Sequence, residues 1–220
     1  MNWLSTFLFL ILRPVLGLII LAGLLIYWII KKKLPKEKYL KIAFYFFSGV
    51  IIIRSLVLTF LNYWLWSQEL ISQRLLPPYT PISYFLKYSW QNYWFEPVVS
   101  ILLAFIVFWG IYLFNKKFEE NLFYKEERYL AGLGVLATGW PNCLIFLSLV
   151  LCLGIVFHLL NILFFFVRQK YWIKDQVEKN KLRFDHLRLS LLYFWIPIAL
   201  LVLLFSDIIN RYIGISQFNI

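Results

Sequence analysis

The chain has 220 residues, of which 62% are hydrophobic and 21% aromatic, while only 15% are charged, and its formal net charge is +11. Soluble domains carry roughly 25% charged residues, so this composition excludes an ordinary soluble domain. The basic excess does not point to nucleic acid, because Lys and Arg sit in short clusters beside long uncharged runs, where they act as topology determinants and contacts for anionic lipid head groups.

Taken in chain order, five apolar stretches stand out. The first covers 14–30, after an apolar lead at 3–12 and a break read at Arg13-Pro14. Its end at Lys31-Lys32-Lys33, with no basic leader before it, marks an uncleaved anchor. The second, 42–66, is interrupted once by Arg54. Residues 67–96 form an external segment too aromatic for a disordered linker, with Pro77-Pro78, Pro81, Tyr84, Phe85, Tyr88, Trp90, Tyr93, Trp94 and Phe95. It suits a short helix lying at head-group depth. The third stretch is 97–114, the fourth 129–167 and the fifth 189–205.

A helix needs about 20 residues to cross a ~30 Å hydrocarbon core. The fourth stretch would be about 58 Å long as one helix. It contains Gly139-Trp140-Pro141-Asn142, a breaker signal, and is therefore read as two helices, 126–139 and 142–167. The expected fold class is all-α, a single polytopic membrane bundle of about six transmembrane helices. Three clusters hold 17 of the 22 basic residues. They lie at Lys31–Lys41, at Lys116, Lys117, Lys125 and Arg128, and at a basic loop over 168–188. The positive-inside rule puts all three in the cytoplasm and both termini outside. The expected setting is the cytoplasmic membrane of a prokaryote. The expected partners are the bilayer, its anionic head groups at the basic loops, and other membrane proteins or further copies of the chain.

Signatures of phosphate-binding loops, dinucleotide sites, zinc peptidases and dithiol centres are absent from the sequence, and neither a cofactor nor a metal is expected. Cys143 and Cys152 are nine residues apart in one apolar run, about 13 Å along a helix, too far for a disulfide. His158 reads as a neutral imidazole bonded to a helix carbonyl. Arg54 is the sharpest single feature. A lone charge in mid-span is expensive, roughly 3 kcal/mol and upward, so it should face the bundle interior or a wet cavity. Its candidate partners are Glu96, Asp207, aromatic faces and helix carbonyls.

The run Glu126-Glu127-Arg128-Tyr129-Leu130-Ala131-Gly132-Leu133-Gly134, continuing to Gly139-Trp140, resembles the C-terminal half of the type IV prepilin peptidases, which are intramembrane aspartyl proteases. Arg128 matches the basic position after the family's G-x-G-D motif; Leu130-Ala131, Leu133-Gly134 and Gly139-Trp140 match the family's positions further along. Leu34-Pro35 and Gly49 echo an upstream feature. The G-x-G-D motif itself is replaced by Phe123-Tyr124-Lys125-Glu126, and Glu37 is the first acid in the chain. An aspartyl protease needs two carboxylates sharing a proton across one water. Only Glu126 and Glu127 offer one side of such a pair, and a charged helix start explains both equally well. The resemblance therefore implies a shared fold without the peptidase chemistry, in a scaffold or assembly role for an envelope, pilus or secretion system. A divergent enzyme using Glu126 or Glu127 and a carrier or channel subunit stay open as alternatives. The candidate functional residues are Glu126, Glu127, Arg54, Arg128 and His158.

Overall fold

The long uncharged runs leave each backbone N–H and C=O no partner but its own helix, and helices are what they form. The computed structural model describes residues 12–31, 35–118, 123–171, 191–206 and 208. Among them the structure is all-α. Its helices are α1 (Leu12–Lys31), α2 (Glu37–Gln68), α3 (Ile82–Ser89), α4 (Phe95–Lys117), α5 (Glu127–Thr138), α6 (Asn142–Tyr171) and α7 (Leu192–Leu204). Four helical runs are long and apolar enough to cross a membrane: Arg13–Lys31, Glu37–Gln68, Ile82–Lys117 and Asn142–Phe164. Helices α5 and α7, of 12 and 13 residues, fall short of the ~20 residues a lone span requires. Large apolar side chains face outward along the long helices, among them Ile19, Ile29, Phe60, Ile106, Leu160 and Phe164.

Three sequence expectations change. The first stretch is helical from Leu12, so Arg13-Pro14 lies in the first turn of the described part of α1, where proline's missing N–H costs nothing; residues 1–11 lie outside the described residues. The aromatic segment is not a separate interfacial helix. From Ile82 it runs through a single π-helical turn, Trp90–Trp94, straight into α4. The amide of Phe95 donates to Trp90 O, five residues back, and the Asn92 side-chain amide donates to Tyr88 O. Pro97 lacks an amide proton, so a regular α-ladder would be broken at this place, and the wider turn absorbs the mismatch. The rings pack on the end of α2: Trp66 on Tyr88 and Phe85, Tyr63 on Phe85, with Trp94 donating to Thr59 Oγ1 at 3.0 Å. Third, α6 extends to Tyr171. The basic loop from 172 onward and both chain ends lie outside the described residues.

The centre of the bundle is α5. Every residue of it except Arg128 is buried, and α1, α2, α4, α6 and α7 all pack against it. Its small residues make this possible, since close approach of backbones is what drives helix association in lipid. Phe44 of α2 lies over Gly132, where a Cβ would sit 2.6 Å from the ring. Phe146 of α6 lies over Gly134, and Ala137 faces Gly17 of α1. Gly134 and Phe146 are five residues either side of the Gly139–Pro141 turn, the pairing of a helical hairpin. The turn itself needs glycine, because Gly139 has φ +70°.

The basic ends of these elements gather at one end of the bundle. Glu37 at the start of α2 pairs with Arg128 at the start of α5, and the Phe123 amide donates to Asn115 Oδ1 near the end of α4 at 3.1 Å. At the opposite end, Arg13 of α1 meets Glu96 of α4 and a carbonyl in the last turn of α5, Leu136 O.

Candidate functional site

Glu127 ties the starts of α5 and α7 together at the basic end. Its side chain has 0% exposure. Oε1 accepts the backbone N–H of Tyr124 at 3.1 Å, three residues back, in the manner of a capping box that closes the start of α5. Oε2 accepts the Leu191 N–H at 3.1 Å and the Trp195 indole N–H at 3.2 Å. Leu191 is the cap residue of α7, so one carboxylate satisfies orphan amides at the beginnings of two helices and complements both dipoles. A buried carboxylate is tolerated only when hydrogen-bonded in this way. Its oxygens are engaged by amide and indole donors in a buried site, whereas acid–base catalysis requires a carboxyl that meets water or substrate.

Glu126 is half-buried, and its backbone carbonyl receives the Tyr129 and Leu130 amides as α5 begins. Arg128, between Glu127 and Tyr129, turns the other way. Its guanidinium pairs with Glu37 and lies over the rings of Phe108, Tyr112 and Tyr129, 5.4, 5.6 and 5.0 Å from their centroids. Three aromatic faces around one cation fix its position. Arg128 also lines a pocket of about 280 Å³ with Ile111, Tyr112, Asn115, Lys116, Tyr124 and Lys125.

The other end of α5 is closed by Arg13, a residue that sequence reading treated as punctuation. Its Nε and Nη2 donate to Leu136 O at 3.1 and 2.9 Å, and Nη1 pairs with Glu96. The guanidinium thus caps the C-terminus of α5, where positive charge is favoured. It also packs against Gly139, where a Cβ would come within 2.5 Å of Cζ. Ser100 completes the turn, accepting the Trp140 amide at 2.9 Å and donating to Glu96 O at 2.7 Å. Arg54 faces the interior, 8% exposed, and Glu96 and Arg13 are the charged groups that act on it. Glu96 is one of the partners expected from sequence; Asp207 lies outside the described residues.

The structure therefore splits the candidate residues into two groups about 20 Å apart, at the two ends of the 12-residue α5. Glu127 and Arg128 occupy one, Arg54 the other. His158 belongs to neither. It is half-buried on α6, between exposed Phe157 and Leu159. Cys143 is a buried free thiol and Cys152 an exposed one. Among the described residues no group of three or more His, Cys, Asp or Glu side chains is placed to hold a metal. Arg13 and Trp195 are the residues that sequence reasoning missed. An arginine beside a proline at a span's start was the available signal for the first; nothing local marks the second.

The chain matches no protein-family model, no curated protein and no solved structure. Its function has to be argued from the two clusters themselves.

Proposed function

We propose that this chain is a non-catalytic scaffold of a prokaryotic cytoplasmic membrane, with a core arranged like that of the prepilin peptidases, that holds another component of an envelope, pilus or secretion system. The observation that carries this reading is the saturation of Glu127. Glu126 stands at the family's aspartate position, and Glu127, the acid beside it, is buried with its oxygens on Tyr124, Leu191 and Trp195. That is what remains useful in an acid once proton sharing is gone. The gathered basic ends support a cytoplasmic placement for that end of the bundle. Short α5 and α7 are reconciled with a six-helix topology by their surroundings. Their ends are satisfied by protein side chains, and irregular backbone at membrane depth is tolerated where protein covers it.

The test is cleavage of a prepilin-like leader peptide by the reconstituted protein. We expect no product from the wild type under conditions where an active peptidase turns over. Cleavage that is lost in Glu127→Gln or Glu126→Gln would overturn the proposal and establish the enzyme reading. A carrier reading draws on one observation, the two buried arginines Arg54 and Arg13 beside the half-exposed Glu96. Reconstituted ion flux abolished by Arg54→Leu would favour it over the scaffold.

A further inference from the structure

The pocket beside Arg128 is chemically unlike the rest of the bundle. Its described lining has three cations, Lys116, Lys125 and Arg128, with two phenols, Tyr112 and Tyr124, one amide, Asn115, and no carboxylate. The volume, about 280 Å³, is at the small end of ligand sites and suits a head group better than a drug-sized molecule. Arg128 is positioned before any ligand arrives, by Glu37 on one side and by three aromatic faces. Its Nε is buried and has no hydrogen-bond partner among the described residues, an arrangement that native structures normally avoid. The Phe123 amide donates to Asn115 Oδ1, which ties Phe123 to a residue of the pocket wall. The pocket thus combines a fixed guanidinium, two lysines and tyrosyl hydroxyls at the basic end of a membrane bundle.

From this juxtaposition we infer that the pocket is a binding site for the phosphate of an anionic phospholipid head group. A phosphate diester offers oxygens to a guanidinium and two ammonium groups at once, and charge-assisted bonds of that kind are the strong ones. The lipid source is favoured by position. The pocket lies where α4 and α5 reach the basic end, and apolar Trp109, Leu113 and Phe114 on the outside of α4 are exposed for acyl chains. Basic pockets between helices on the cytoplasmic side bind such head groups by the same chemistry. The inference goes beyond the scaffold reading and does not depend on it.

The experiment titrates short-chain phosphatidylglycerol into the detergent-solubilised full chain and follows thermal unfolding, with native mass spectrometry counting retained lipid. Phosphatidylcholine and inorganic phosphate are the other two arms. Saturable stabilisation by phosphatidylglycerol is expected, with the other two at least tenfold weaker. Each lysine near a charged surface contributes about fivefold, so Lys116→Gln with Lys125→Gln should weaken binding about 25-fold. Arg128 is left in place in that variant, because its ring and Glu37 contacts are structural. The control Lys38→Gln with Lys41→Gln removes the same charge from exposed positions of α2 and should leave binding unchanged. Equal losses in both double variants would reduce the effect to diffuse attraction and overturn the inference. So would equal binding of phosphatidylcholine, or inorganic phosphate binding as tightly as the lipid.

Discussion

Replacing Glu127 by glutamine removes a charge and one acceptor while changing volume very little. The amide oxygen can take the place of either carboxylate oxygen. In the better orientation it keeps Leu191 and Trp195 and turns its NH₂ toward the Tyr124 amide, leaving a buried donor facing a donor. An unsatisfied buried donor costs about 1–3 kcal/mol, and bonds that lose charge assistance drop by about half. The sum is about 2–4 kcal/mol. For a chain of this length that lowers the melting temperature by about 5–15 °C. Thermal unfolding of the purified protein in detergent would read it, with amide exchange at Leu191 as the local probe. Glu127→Ala should cost more, about 4 kcal/mol or above, since all three donors are stranded. Glu126→Gln should stay within about 0.5 kcal/mol, because among the described residues only its backbone carbonyl is used. A Glu127→Gln protein that melts with the wild type, or a Glu126→Gln protein that loses as much, would refute the clamp.

Gly134→Ala pushes a methyl into the Phe146 ring and should cost about 1–3 kcal/mol; Phe146→Leu in the same chain should recover at least about 1 kcal/mol of that, measured as a double-mutant cycle. Arg13→Leu leaves Leu136 O without its two donors and should destabilise by about 2–4 kcal/mol, with Arg13→Lys intermediate because an ammonium cannot fork to the carbonyl and to Glu96 together. Single cysteines at Lys38, Lys117 and Lys179, in a background lacking Cys143 and Cys152, should react with an impermeant reagent from one face of sealed vesicles. Opposite faces for Lys117 and Lys179 would dismantle the hairpin of α5 and α6 as a membrane topology.

Much of the architecture was legible because lipid makes the code simple. Uncharged runs are helices, and a Gly-Trp-Pro-Asn tetrad inside a 39-residue run is where the chain turns. Arg54 advertised an interior position by its energetic cost alone. The missing parts are those in which distant residues decide. Arg13 looks like a helix stop in one dimension, yet its meaning comes from Leu136, 123 residues away, and from Glu96. Glu127 looks like a solvated helix start until Leu191 and Trp195, 64 and 68 residues on, close over it. The join of α3 to α4 depends on where a proline's absent amide falls relative to one wide turn, which composition does not reveal.

The burial of α5 carries a consequence for how the protein is made. A 12-residue segment that begins Glu-Arg is too short and too polar to partition into lipid by itself as it leaves the ribosome. Its upper plug, Arg13, is already present, but the residues that shield Glu127 are translated more than sixty positions later. Before α7 emerges α5 can pack on α1, α2, α4 and α6, while the two donors that close over Glu127 Oε2 are still to come. Chains truncated before Leu191 would keep that packing and lose the Leu191 and Trp195 donors to Glu127.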